Sequence, residues 1–126
     1  MAKQLKILLV SPEIHPFAKT GGLADIAGAL PKALQGMGHD IRVAMPKYKC
    51  INTSKFNIKP LLAEIKVPVG KIKKRGELFA GKLNKTIPSY FIGNDGYYYR
   101  DGIYGTSGGD FPDNAERFIF FCRAVL

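Results

Sequence analysis

The chain has 126 residues, of which 46% are hydrophobic and 23% charged, and its formal net charge is +9. This length suffices for one domain with a modest core, and the composition excludes a disordered chain. No run of 18 apolar residues is present, which excludes a membrane-spanning helix. Cys50 and Cys122 are too few for a disulfide framework, so we expect free thiols in a cytoplasmic protein without a signal peptide.

The first 46 residues predict a strand, a helix and a second strand. The run LKILLV at residues 5–10 is typical of a strand buried on both faces. Pro31 lies inside the predicted helix and removes one backbone hydrogen bond, so we expect a kink at residues 28–31. HDIRVAMP at residues 39–46 predicts the second strand of a right-handed βαβ unit. Six apolar residues at helical spacing predict one face of the helix: Leu23, Ile26, Ala27, Leu30, Leu34 and Met37.

The middle of the chain predicts an antiparallel hairpin, with strands at residues 63–69 and 77–83 around GKIKKRG and a further strand at residues 89–94. Seven basic residues and a single acid, Glu77, lie within residues 66–85. Because the lysines alternate with apolar residues, we interpret them as the solvated face of the hairpin. The alternative is a surface that faces a polyanion or a glucan. Nucleic acid is not expected, since no recognition motif accompanies the charge and aromatic residues do not interleave with it.

The last segment predicts a helix that begins after Asp113, with Glu116 at the spacing of a capping box. The helix is expected to be buried on most sides, since Phe120 and Phe121 widen its apolar stripe. The chain reaches residue 126 inside this helix, so we expect a larger protein. The predicted stripe consists of Ala115, Phe118, Ile119, Cys122, Val125 and Leu126.

The connection between the first strand and the first helix carries the most specific chemistry. It contains Lys19, Gly21 and Gly22 within SPEIHPFAKTGGLADIAGALPKAL. Unpaired N–H groups at a helix N-terminus attract anions, glycines let a ligand approach the backbone, and a lysine adds charge suited to a diphosphate or phosphosugar. The pattern is neither a dinucleotide fingerprint nor a P-loop. The alternative is a tight turn with an exposed lysine. With only His15 and His39 as histidines, on different elements, neither a metal site nor a cofactor is expected.

Three segments resemble the amino-terminal blocks of the glycogen and starch synthases: the segment just quoted, GHDIRVAMPKY, and YYYRDGIYGTSGGDFPDNAERFIFFCRAVL. Together they span essentially the whole chain. The resemblance implies an α/β fold with a Rossmann-like, mostly parallel sheet and an inserted antiparallel hairpin. Residues 1–126 would form the first part of the N-terminal domain of a two-domain GT-B fold, incomplete at its C-terminal end and without the second domain. It also implies a retaining glucosyltransferase that moves glucose from ADP-glucose to the non-reducing end of an α-1,4-glucan in glycogen biosynthesis.

The resemblance also implies donor-side residues. Lys19 matches the residue that contacts the donor, and Gly21 and Gly22 match the loop that meets the sugar nucleotide. Asp25 matches an acid near the glucosyl site, although an acid at a helix N-terminus explains it equally well. Glu13 fits the pattern before the loop without an assigned role.

On the acceptor side, the resemblance assigns Asp113 and Asn114, preceded here by Phe111 and Pro112 where many relatives have tyrosine. No catalytic residue is expected in this chain, because the diphosphate-binding basic pair, the acid near the glucose and a catalytic histidine lie elsewhere in the family. The chain alone is therefore expected to be inactive, with ADP-glucose and glucan as partners of the full protein and with no membrane partner. The alternatives are a stand-alone sugar-nucleotide or glucan-binding half-domain and a polyanion-binding basic protein.

Overall fold

The computed structural model describes residues 3–126, which form an α/β fold. None of the helices in this part of the chain has the length and hydropathy to cross a membrane. In chain order, the elements are β1 (Lys6–Val10), α1 (Gly22–Gly36), β2 (Asp40–Pro46), β3 (Lys59–Val69), β4 (Ile72–Leu83), β5 (Ile87–Gly93), α2 (Asp95–Tyr98), β6 (Gly105–Thr106), β7 (Gly109–Asp110) and α3 (Asn114–Val125).

The main sheet has five strands in the order β1-β2-β5-β4-β3. The strands β1, β2 and β5 are parallel, and β4 and β3 continue the sheet in antiparallel pairing. This arrangement confirms the predicted fold class, including the βαβ unit and the inserted hairpin. The strands β6 and β7 pair with each other in a separate two-stranded ribbon.

The hairpin turn is shorter than predicted. Val69 pairs with Ile72, so only residues 70 and 71 form the turn, and the basic residues at 73–75 lie within β4. Gly70 has a φ of 62°, a value that glycine adopts without strain and that a two-residue hairpin turn requires. The first strand therefore ends at residue 69 as predicted, but the second begins at residue 72 and not at 77. The turn is shorter because one glycine suffices to reverse the chain.

The two faces of the sheet are covered by different segments. Side chains alternate along a strand, so positions 76 and 81 of β4 point to opposite faces. The face at Gly76 meets Phe120 of α3, and the face at Gly81 meets Phe91. On that second face, the ring of Phe17 packs edge-on against Phe91 at 5.0 Å between centroids. The core is thus formed between α3 and the sheet on one side and between the sheet and the segment before α1 on the other.

Helix α1 buries its small residues rather than its large apolar ones. The helix is continuous through Pro31, and its buried residues are Ala24, Ala27, Gly28 and Pro31. A Cβ atom at position 28 would overlap the carbonyl oxygen of His15, so this face admits only a residue without a side chain. The predicted face is therefore mostly wrong: Leu23, Ile26, Leu30 and Met37 are 43–72% exposed.

Strand β1 and helix α3 are also less buried than predicted. Leu8 and Val10 are 49% and 43% exposed, because alternate side chains project from the same face of β1 and that face is open among residues 3–126. In α3 the buried residues are Arg117, Phe120 and Phe121, whereas Ile119 and Cys122 on the predicted stripe are exposed. The helix packs against β3, β2 and β5, and the ring of Phe120 fills the space above Gly76 of β4.

Candidate functional site

The loop between β1 and α1 is held in place by its backbone. Ser11 N donates to Ala44 O at 3.1 Å, His15 N donates to Ala24 O at 3.0 Å, and Ala18 N donates to Ile14 O at 3.1 Å. These bonds fix residues 11–21 at the carboxyl ends of the parallel strands β1 and β2. In open α/β sheets, ligands bind in the crevice outside that edge.

Lys19 and Asp25, two of the predicted site residues, form an ion pair. The Nζ atom of Lys19 lies 2.9 Å from each carboxylate oxygen of Asp25. The two side chains are 46% and 53% exposed, so the pair is worth at most about 1 kcal/mol in water. Lys19 can therefore leave Asp25 for an anion that carries more charge, such as a diphosphate.

Gly21 and Gly22 are not required by the folding of the chain. A Cβ atom built at either position has no neighbour within 4 Å, and Gly21 has an extended φ of −163° that any residue adopts. By contrast, a Cβ atom at Gly105 would overlap the carbonyl oxygen of Gly109. The two glycines of the loop leave the N-terminus of α1 uncovered.

The N-terminus of α1 has backbone donors to offer. Gly21 N already donates a hydrogen bond to the carboxylate of Glu13 at 3.1 Å. Gly21 provides no side-chain cap for the helix. Among residues 3–126, the N–H groups of Gly22 and Leu23 have no acceptor. These donors carry the positive end of the helix dipole, and Lys19 lies three residues before Gly22, so the arrangement favours an anionic ligand.

Glu13, to which the sequence assigned no role, is buried beneath the loop. It is 2% exposed and accepts four hydrogen bonds: two from Thr20 (N, 3.2 Å; Oγ1, 2.6 Å), one from Gly21 N (3.1 Å) and one from the hydroxyl of Tyr104 (2.6 Å). Burial by itself raises the pKa of this carboxyl, but the hydrogen bonds outweigh burial, and the pKa lies below its ordinary value of 4.5. An isolated acid between the apolar β1 and the glycines was the available signal.

Asp113 and Asn114 lie at the start of α3, and their side chains have partners within the protein. Asp113 is the N-cap residue but makes no capping bond; both its oxygens accept from Arg100 at 2.7 Å. Glu116 accepts from the hydroxyl of Tyr97 at 2.7 Å, so the predicted capping box is wrong. The bidentate pair replaces the cap because charge-assisted bonds are the stronger ones, and Arg100 lowers the pKa of Asp113. Asn114 Nδ2 donates to Tyr104 O at 2.8 Å.

Arg117 is a fully buried arginine that the sequence did not reveal. Its guanidinium donates to Tyr97 O, Ile103 O and Asn114 Oδ1 at 2.7–2.8 Å. Within residues 3–126, its Nη2 atom has no partner, and burial lowers the pKa of the group. The arginine ties α3 to the glycine-rich loop at residues 102–109, which carries Tyr104. An arginine within an amphipathic helix ordinarily indicates the solvent side, so no local pattern predicted this burial.

His39 and the three consecutive tyrosines at residues 97–99 differ in their surroundings. His39 lies directly before β2, and its Nδ1 atom accepts from Leu5 N at 3.1 Å. Tyr97 and Tyr98 are buried in the core, and only Tyr99 is exposed. In the part of the chain that the structure describes, no three histidine, cysteine, aspartate or glutamate residues are grouped to hold a metal ion.

A cavity of about 760 Å³ touches the loop at Pro16 and Phe17 but not at the predicted site residues. It is bounded by Pro16 and Phe17, by residues 55–59 and by residues 80–85, and it includes four lysines. Lys19, Gly21, Gly22 and Asp25 do not line it. The candidate site is therefore an open surface at the N-terminus of α1 and not an enclosed pocket of this chain.

Comparison with known proteins identifies what the chain is similar to. Residues 6–126 match the family described as starch synthase catalytic domain. The glycogen synthase of Syntrophotalea carbinolica is 48% identical over 122 residues, which cover 97% of this chain and 25% of that protein. The glycogen synthase of Moorella thermoacetica is 48% identical over 128 residues, which cover 100% of this chain and 24% of that protein.

A solved structure is similar as well. It is the catalytic domain of starch synthase IV from Arabidopsis thaliana bound to ADP and acarbose, which matches with a TM-score of 0.83 and 27% identity. The match covers 98% of this chain and 24% of that chain. The chain thus spans about a quarter of the length of the relatives it matches.

Proposed function

Because the chain belongs to the starch synthase catalytic domain family, we propose that it is the donor-facing part of a glycogen or starch synthase. The whole enzyme transfers glucose from ADP-glucose to the non-reducing 4-hydroxyl of an α-1,4-glucan with retention. Relatives named glycogen synthase support this proposal. The solved relative is bound to ADP, the nucleotide part of the proposed donor. A cytoplasmic location for glycogen biosynthesis is part of the same proposal, and the free thiols of Cys50 and Cys122 are compatible with it.

One observation carries the proposal, namely the uncovered N-terminus of α1. Gly21 and Gly22 serve no packing purpose, the N–H groups of Gly22 and Leu23 point to no protein acceptor in residues 3–126, and Lys19 is half-exposed beside them. A diphosphate needs this combination of backbone donors, positive dipole and mobile charge. We therefore assign Lys19, Gly21 and Gly22 to the donor.

The chemistry of transfer develops negative charge on the departing diphosphate, which a positive site stabilises. Lys19 supplies one full charge once the anion draws it from Asp25. Asp25 then remains near the donor as an acceptor for a sugar hydroxyl. Asp113 and Asn114 stay proposed for the acceptor side. No residue of this chain is assigned to bond making or breaking.

The outer surface supports a place within a larger domain. Leu8 and Val10 of β1 and Leu23 and Ile26 of α1 are 43–65% exposed, and exposed apolar side chains of this number indicate a covering partner. The chain spans about a quarter of the length of its relatives. In this proposal, the segments that correspond to the rest of those proteins cover the exposed apolar side chains. Residues 1–126 are accordingly the first part of the N-terminal GT-B domain. A stand-alone binding half-domain is not favoured, because the relatives are synthases.

The test is glucosyl transfer by the longer protein that carries this chain. Purified protein is incubated with glycogen and ADP-glucose labelled in the glucose, and with UDP-glucose in a parallel reaction. We expect label in glycogen from ADP-glucose, released by an enzyme specific for α-1,4 linkages. No incorporation from either sugar nucleotide by the folded protein contradicts the proposal.

A further inference from the structure

We infer that Glu13 is a positioning residue for the donor loop, acting through Thr20 and Gly21 and not on the donor itself. The inference rests on the proposed function, since the loop it positions is the one assigned to ADP-glucose. It adds a residue to which the family resemblance gave no role.

The hydrogen bonds of Glu13 divide evenly between its two oxygens. Oε1 accepts from the backbone N–H groups of Thr20 and Gly21, and Oε2 accepts from the hydroxyls of Thr20 and Tyr104. The carboxylate is therefore saturated by the protein. A group that is 2% exposed and fully hydrogen-bonded has no lone pair to offer to a substrate, so its effect on the donor is indirect.

These bonds fix the part of the loop that faces the ligand. Thr20 and Gly21 stand between Lys19 and the first helical residue, and Glu13 holds both of their N–H groups from the protein side. The next N–H groups along the chain, those of Gly22 and Leu23, belong to the first turn of α1 and have no protein acceptor among residues 3–126. Without the buried carboxylate, the two fixed N–H groups lose their acceptor and the loop gains conformations that a donor must exclude on binding.

Glu13 also joins two distant segments. Tyr104 reaches it from the glycine-rich loop, 91 residues further along the chain. The backbone of Tyr104 accepts from Asn114, one of the two residues proposed for the acceptor side. The main effect nevertheless falls on the donor, because three of the four bonds to Glu13 come from the donor loop and one from Tyr104.

The experiment compares variants of the full-length protein in steady-state kinetics, with ADP-glucose and glycogen varied in turn. Glu13→Gln keeps the shape and one acceptor oxygen but removes the charge. We expect its kcat/KM for ADP-glucose to fall about tenfold, with the KM for glycogen within about twofold of wild type. Peptides covering residues 17–24 should exchange amide hydrogen for deuterium faster than in the wild type.

A matched pair of tyrosines provides the control. Tyr104→Phe and Tyr97→Phe each remove a hydroxyl that donates to a carboxylate, at 2.6 and 2.7 Å respectively. Tyr97→Phe lies away from the loop and should leave ADP-glucose kinetics unchanged, whereas Tyr104→Phe should lower kcat/KM about two- to fourfold. Where Glu13→Gln does not fold, Thr20→Val takes its place, with an expected loss of about threefold.

The outcomes separate this inference from the proposed function. Wild-type donor kinetics for Glu13→Gln, in an enzyme that Lys19→Ala impairs, overturn the inference alone. An equal loss toward ADP-glucose and glycogen also overturns it, since that result indicates a general structural role. A wild-type protein without glucosyl transfer refutes the proposed function, and faster exchange of residues 17–24 in Glu13→Gln then still supports the loop-positioning role. Lys19→Ala combined with Glu13→Gln should lose less than the sum of the separate losses, because both act on one loop.

Discussion

Replacing Gly22 with alanine distinguishes the needs of the fold from the needs of the ligand. The new methyl group enters space that has no protein atom within 4 Å. Alanine is favoured over glycine in a helix interior by about 1 kcal/mol, and less at the first helical residue, so the free energy of unfolding should stay the same or rise by up to about 1 kcal/mol. Stability therefore gives no reason for glycine at this position.

Whereas stability should stay the same or rise, kcat/KM for the donor should fall in Gly22→Ala. The methyl group stands where a diphosphate would approach the free N–H groups at the start of α1. Loss of one hydrogen bond to a charged group costs about 1.5–3 kcal/mol. This range corresponds to about a ten- to hundredfold decrease in kcat/KM for ADP-glucose.

The assay is steady-state kinetics of the full-length protein, paired with thermal unfolding of the same samples. Gly36→Ala is the matched control, because Gly36 lies in the same helix, at its other end, and also has no atom within 4 Å of a Cβ position. Both variants should unfold at or above the wild-type temperature, and only Gly22→Ala should lose activity toward the donor. Unchanged donor kinetics for Gly22→Ala, or equal losses in both variants, would show that the donor does not approach the backbone at residue 22.

Four further predictions concern charge, pH and the isolated chain. Lys19→Ala should lower kcat/KM for ADP-glucose about ten- to hundredfold in full-length kinetics, and an unchanged value contradicts its assignment. Replacing the three basic residues at 73–75 with glutamate should leave glycogen elongation within about twofold, since exposed charges are screened; a large salt-dependent loss of glycogen affinity would show an anion-binding hairpin. The pKa of Glu13 is lowered on folding, so its contribution to stability is complete above pH 4.5 and is lost as the pH falls through the lower pKa of the folded protein. The difference in unfolding temperature between wild type and Glu13→Gln should therefore shrink in that acidic range. Residues 1–126 alone should bind ADP-glucose with a Kd of about 1 mM or weaker in calorimetric titration, without turnover; micromolar binding by a monomer would mean that the donor site is complete.

The order of the five main strands and of α1 and α3 was predictable because its signals are local, whereas the short elements α2, β6 and β7 were not predicted. The apolar run of β1, the glycines before α1 and the alternation in the hairpin each lie within one element. The buried face of α1 was not predictable, because amphipathic spacing identifies apolar residues but not the surface that meets them. At Gly28 the carbonyl of His15 approaches so closely that small residues face inward and the leucines face outward.

The contacts of the candidate site also divide into local ones, which were predictable, and long-range ones, which were not. Lys19, Gly21, Gly22 and Asp25 lie within seven consecutive positions, and a sequence pattern could therefore place them together. The contact of Tyr104 with Glu13 spans 91 residues, so no local pattern contains it.

Arg117 illustrates the same limit. Its burial depends on carbonyl oxygens of Tyr97 and Ile103 that only the folded chain brings to it. A charged residue in a helix ordinarily lies toward solvent, and its burial requires partners that the sequence does not display.

A crystal structure of the full-length protein with ADP-glucose bound tests most directly whether this loop binds the donor. We expect a diphosphate oxygen within hydrogen-bond distance, about 2.7–3.2 Å, of Lys19 Nζ or of the N–H groups at residues 22 and 23. We also expect the ion pair between Lys19 and Asp25, now 2.9 Å long, to be lengthened or broken. A bound donor that makes no contact with residues 19–23 would contradict the assignment of this loop.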